Sequence, residues 1–120
     1  MSYTIKVAET VVEIVHTGEI GIDEANQARN EAARLMFDKK LSRILADISG
    51  AIITAKTMGL FEFNASHYDV LPRGTMIATV LSAETIDTNL ADFSETVAIN
   101  RGIQLKLFTD RTAAREWIYG

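Results

Sequence analysis

Three stretches of this chain are apolar almost without a break: VVEIVH at residues 11–16, RILADI at 43–48 and TMIATVL at 75–81. A strand with one wet face alternates apolar and polar residues. A near-continuous apolar run needs cover on both faces, as in the centre of a parallel sheet. The segments between these runs carry apolar residues at steps of three and four, the period of a helix lying on a sheet. Strands that alternate with helices imply right-handed crossovers and an α/β fold.

The remaining elements follow from local signals. Residues 3–8 are rich in β-branched residues, and only Glu9 and Thr10 separate them from the second strand, so a hairpin is expected. HTGEIGID supplies two glycines and an acidic helix start. Ile22, Ala25, Ala28, Ala32, Leu35 and Met36 then recur at helical spacing. Asp23 and Glu24 in the first turn and Lys39 and Lys40 in the last both suit the helix dipole. Thr54, Met58, Phe61, Ala65 and Tyr68 mark a second helical stripe, which Pro72 ends. Ser82 can cap a third helix carrying Ile86, Leu90, Phe93 and Val97, closed by Gly102. Ile103, Leu105 and Leu107 form a last strand, and Thr109 or Asp110 caps a final helix with Ala113, Ala114, Trp117 and Ile118. The expected order is β-β-α-β-α-β-α-β-α: a mostly parallel sheet of about five strands, an opening antiparallel hairpin and four helices. Residues 1–120 form one domain in this reading, with no repeat, linker or low-complexity tract.

The composition narrows the function classes. No cysteine is present, so disulfides and thiolate metal sites are excluded. The net charge of -4 argues against the basic face that nucleic-acid binding needs. No apolar run reaches the roughly 20 residues that span a bilayer, and the chain enters its first strand directly, so a cytoplasmic protein is expected. His16 and His67 have no partner at ligand spacing. There is no G-x-S-x-G elbow, no G-x-G-x-x-G and no G-K-[ST]. The expectation is a protein that is not an enzyme and holds no metal or cofactor.

Ligands of open α/β sheets gather where the parallel strands end, beside helix N-termini. In this chain that edge should collect Thr17, Asp23, Asp47, Ser49, Gly50, Thr54, Ser82, Thr109 and Asp110. Each polar residue among them also has a capping role worth about 1 kcal/mol. At the other edge Arg73 and Arg101 lie close, while Arg111 and Arg115 belong to no basic run.

The element order, the D-I-S-G of Asp47 to Gly50 and the closing LKLFTDRTAAREWI resemble the STAS and SpoIIAA-like superfamily. Its members include anti-sigma factor antagonists and domains attached to transporters. The resemblance implies a regulatory protein-interaction domain whose partner is a kinase or anti-sigma-like protein. In the antagonists, a serine at the start of the helix after this strand is phosphorylated. Aligning Gly59 with the motif glycine makes Thr57 the phosphoacceptor, with Thr54 and Ser49 as alternatives; Lys56 and Met58 depart from the motif. A phosphate there would add nearly two charges beside a helix terminus. The resemblance also covers folds that carry apolar ligands. GLFEFNASHYDVL, with Leu60, Phe61, Phe63, Tyr68, Val70 and Leu71, is the stretch that would serve a carrier or sensor of a small apolar or anionic ligand, at a membrane surface for instance. Finally, the hairpin leaves an edge strand that invites pairing into a homodimer.

Overall fold

The computed structural model describes residues 3–53, 71, 74–81 and 103–120. The elements, numbered in chain order, are β1 (Tyr3–Ala8), β2 (Val11–His16), β3 (Gly18–Ile20), α1 (Ile22–Lys39), β4 (Arg43–Asp47), β5 (Ala51–Ile53), β6 (Met76–Val80), β7 (Gln104–Phe108) and α2 (Arg111–Tyr119). Five strands form one sheet in the order β1-β2-β4-β6-β7. β1 runs antiparallel to β2, and every later pair is parallel. The expected α/β class and mostly parallel sheet are therefore present. The helices expected after Gly50 and after Ser82 fall outside the described residues.

One feature corrects the sequence-based expectation. A second, two-stranded parallel sheet joins β3 to β5, pairing Gly18 with Ala51 and Ile20 with Ile53. The GEI and AII segments are too short for a period to register, so both read as loop. Gly18, at φ 72°, takes the left-handed conformation that lets the chain turn out of β2. The Asp47–Gly50 turn therefore leads into a short strand, not directly into a helix.

The sheet is covered on both faces. On one, α1 lays Ala28, Ala32, Ala33 and Met36 against Val12, Ile14, Ile44, Ile77 and Leu105. The small alanines allow that close approach. On the other, α2 brings Ala114 and Ile118 onto Val11, Leu45, Ala78 and Val80. β2 is buried along nearly its whole length, as its sequence requires. α1 ends at Lys40, which takes a left-handed conformation (φ 56°, ψ 47°) and donates its N–H to the Met36 carbonyl. Asp110, not Thr109, caps α2: its carboxylate accepts the Thr112 N–H at 3.0 Å.

Candidate functional site

The alternation of side chains along β2 and β4 sends Glu13 and Asp47 to the face that α2 covers, among otherwise apolar neighbours. Both are buried, Glu13 to 2% exposure and Asp47 to 8%. A carboxylate in such a place is costly unless it is paired. The partners come from α2. Arg111 and Arg115 are one helical turn apart and therefore share a face. Arg111 donates Nη1 to Asp47 Oδ2 at 2.5 Å and Nη2 to Glu13 Oε1 at 3.4 Å, bridging the two acids. Arg115 Nη1 donates to Glu13 Oε2 at 3.0 Å. The Tyr119 hydroxyl, one turn further on, donates to the same oxygen. Both arginine side chains are partly exposed, to 40% and 45%, so the network runs from the sheet interior to the surface.

Asp47 is shared between this network and the turn that follows it. Its Oδ1 accepts the Ser49 N–H at 3.0 Å and the Ser49 hydroxyl at 2.6 Å. That is an Asx-type turn, which fixes the chain direction out of β4. Asp47 thus locks the turn with one oxygen and holds α2 with the other. Ser49 and Gly50 are themselves exposed. A second tie fixes the far end of the helix, where Arg43 Nη1 donates to the Ile118 carbonyl at 2.8 Å.

These contacts set the protonation states. Burial opposes ionisation of Glu13, but the Tyr119 hydrogen bond and the Arg115 charge outweigh it and hold the carboxyl below its ordinary range. Asp47 is likewise held low, since Ser49 and Arg111 overcome its burial. The Tyr119 phenol is pushed up to about 12 by burial and by its bond to the Glu13 carboxylate. The site at neutral pH is therefore two carboxylates, two guanidiniums and a neutral phenol. With its charges matched and the acids ionised, this arrangement anchors a helix and positions a turn.

Of the residues expected at the strand ends, the structure brings Asp47, Ser49 and Gly50 together in one turn. Thr109 is exposed at the end of β7, beside Asp110. Asp23 lies in the first turn of α1. Thr54, Thr57 and Ser82 lie outside the described residues, as do His67, Arg73 and Arg101. Glu13, Arg111, Arg115 and Tyr119 were not expected together. Their signal was present in part: an acid inside an apolar strand, and basic residues at i and i+4 with a tyrosine at i+8.

At the same strand end, but on the face that α1 covers, His16 closes β2 and is buried, with Nδ1 3.7 Å from Glu24 Oε2 of α1 and its ring 5.5 Å from that of Tyr3. Burial lowers its pKa despite the nearby carboxylate. Among the described residues no group of three or more His, Asp or Glu is placed to hold a metal ion. No described helix is long and apolar enough to cross a membrane.

No protein-family model matches the sequence, and no curated protein sequence matches it. The fold does have solved counterparts. An anti-sigma factor antagonist from Mycobacterium paratuberculosis aligns with a TM-score of 0.65 at 15% identity, over 99% of this chain and 94% of its own. The anti-sigma factor antagonist SpoIIAA, in its unphosphorylated form, aligns with a TM-score of 0.58 at 13% identity, over 99% of each chain. A protein from Shewanella loihica with a SpoIIAA-like fold aligns at 0.56 and 14% identity, over 98% of this chain and 93% of its own. The chain therefore has a SpoIIAA-like fold.

Proposed function

We propose that this chain is a non-enzymatic regulatory domain that works by binding a protein partner through the turn at the end of β4. The observation that supports this most is the treatment of Asp47, Ser49 and Gly50. Asp47 is buried and held by Arg111, yet the hydroxyl and glycine it positions stand exposed at the edge where α/β sheets bind. Two of the solved structures that share the fold are of anti-sigma factor antagonists, regulators by their description. In this reading the partner is a kinase or anti-sigma-like protein, and neither nucleic acid nor a catalytic step is involved.

Regulation by phosphorylation is a further part of the reading, with Thr57 first and Thr54 and Ser49 as the other acceptors. The unphosphorylated form of SpoIIAA is among the solved folds, and its description implies a phosphorylated counterpart for that protein. The test is incubation of the chain with extract of its native host and ATP, read by intact mass. One added phosphate, abolished by Thr57→Ala, Thr54→Ala or Ser49→Ala, supports the switch; an unchanged mass removes the switch. Partner binding is tested separately, with a captured partner purified and titrated against wild type and Ser49→Glu. Equal affinities, together with no hydrogen-exchange protection at residues 47–50, overturn the proposed surface.

A carrier role has less support. Of the stretch that suggested it, Leu71 is the described residue, and it is buried in the core cluster under α1. That is packing, not ligand lining.

A further inference from the structure

The five-stranded sheet has two edge strands, β1 and β7, and the described residues place no strand beyond β1. Exposed edges are usually blunted by proline, a bulge, short length or several charges. β1 has six residues in unbroken register with β2, no proline, and Lys6 as its one charge. We propose that β1 pairs antiparallel with β1 of a second copy of this chain, about a two-fold axis centred on Ile5.

The register follows from the hairpin. Ala8 and Val11 close a two-residue loop, so they are the pair that exchanges backbone hydrogen bonds. Alternation then turns the N–H and C=O of Thr4 and Lys6 toward β2, and those of Tyr3, Ile5 and Val7 outward. A two-fold axis at Ile5 sets Ile5 against Ile5 and Tyr3 against Val7 of the second copy. Every outward backbone group on these three residues gains a partner. The side chains match as well. Tyr3, Ile5 and Val7 are half-buried on the α1 face, so apolar meets apolar there. On the opposite face the exposed Lys6 meets the exposed Thr4, and no like charges oppose.

The neighbouring registers are worse. Sliding by one residue joins opposite faces of the two sheets. Centring on Lys6 sets Lys6 against Lys6, a destabilising cross-strand pair. Centring on Thr4 pairs only Tyr3 with Ile5 among the described outward residues. The pattern is thus self-complementary in one register, which is the property an isologous interface requires. The two sheets would continue as one, with both α1 helices on one face and both α2 helices on the other.

Sedimentation equilibrium of the full 13.2 kDa chain tests this. Wild type should show a concentration-dependent species of twice that mass. Thr4→Glu places an acid against Lys6 of the second copy, and by symmetry does so twice; it should lower the dimer Kd roughly fivefold, and Thr4→Lys should raise it by a similar factor. Thr4 is exposed, so neither change threatens the fold. Ile5→Pro removes an outward N–H without touching the β1–β2 ladder and should give monomer. A monomer at concentrations up to roughly millimolar, or a dimer indifferent to both Thr4 variants, overturns the proposal.

Discussion

Arg111 and Asp47 stand 64 positions apart in sequence and 2.5 Å apart in space, and their contact fastens the C-terminal helix to the turn that leaves β4. The pair is asymmetric. Asp47 is buried, while Arg111 is about 40% exposed and can return to water if its partner is lost. Removing the arginine leaves a buried carboxylate with only Ser49 to bond. Arg111→Met should therefore cost about 1–3 kcal/mol in urea unfolding. A double-mutant cycle with Asp47→Asn should return a coupling on the order of 1 kcal/mol. Additive losses would mean that the two residues act independently.

Much of this fold was legible because its long elements carry strong periods. Residues 11–16, 43–48 and 75–81 are apolar for the reason that emerged: the sheet is covered by α1 and α2 on opposite faces. β3 and β5 were not legible, since three residues cannot display a period and their pairing joins distant positions. The site was half legible. Asp47, Ser49 and Gly50 are contiguous and announce a turn. Glu13 and Arg115 are 102 positions apart, and only the sheet order, with β2 beside β4 beneath α2, brings them together. Arg111 and Arg115 appeared unrelated because their meaning depends on the acids opposite them.

Glu13 is the more demanding of the two acids, because it is almost fully buried and shares one oxygen between Arg115 and Tyr119. Glu13→Ala leaves Arg115 and the Tyr119 phenol without their acceptor, while Arg111 keeps Asp47 and both exposed guanidiniums can turn to water. Its loss should cost about 1–3 kcal/mol. Tyr119→Phe removes one hydrogen bond and should cost about 1 kcal/mol. Ultraviolet titration gives an independent check: the wild-type chain should contain a phenol that ionises only near pH 12, and Tyr119→Phe should abolish that step.

His16 makes stability depend on pH in a range where the carboxylates do not. Its folded pKa lies below the ordinary 6.5 because burial disfavours the imidazolium. The unfolded chain therefore binds the proton more readily. The stability contributed by the neutral ring is fully present above pH about 6.5 and is lost as pH falls through that value toward the folded pKa. Tyr3 packs against the ring and Glu24 faces it, the Glu24 carboxylate opposing the shift. Chemical denaturation at pH 7.5 and pH 5.5 should show lower stability at the acid end, and His16→Gln should flatten the slope. Glu13 and Asp47, with depressed pKa values, add their own loss only below pH about 4.

Gly50 separates a fold requirement from a surface one. Its φ lies outside the positive range, and a Cβ built on it meets no atom within 4 Å. Nothing in the turn therefore demands glycine for conformational freedom or space. Gly50→Ala should leave stability within about 0.5 kcal/mol of wild type, as for an unconstrained surface change. The same methyl group stands on the exposed side of the turn, next to Ser49, where a partner's backbone would approach. If residues 47–50 are the binding surface, Gly50→Ala should weaken a purified partner measurably, by calorimetry, while the thermal midpoint stays fixed. A drop in both would assign Gly50 to the fold; a drop in neither would move the binding surface away from this turn.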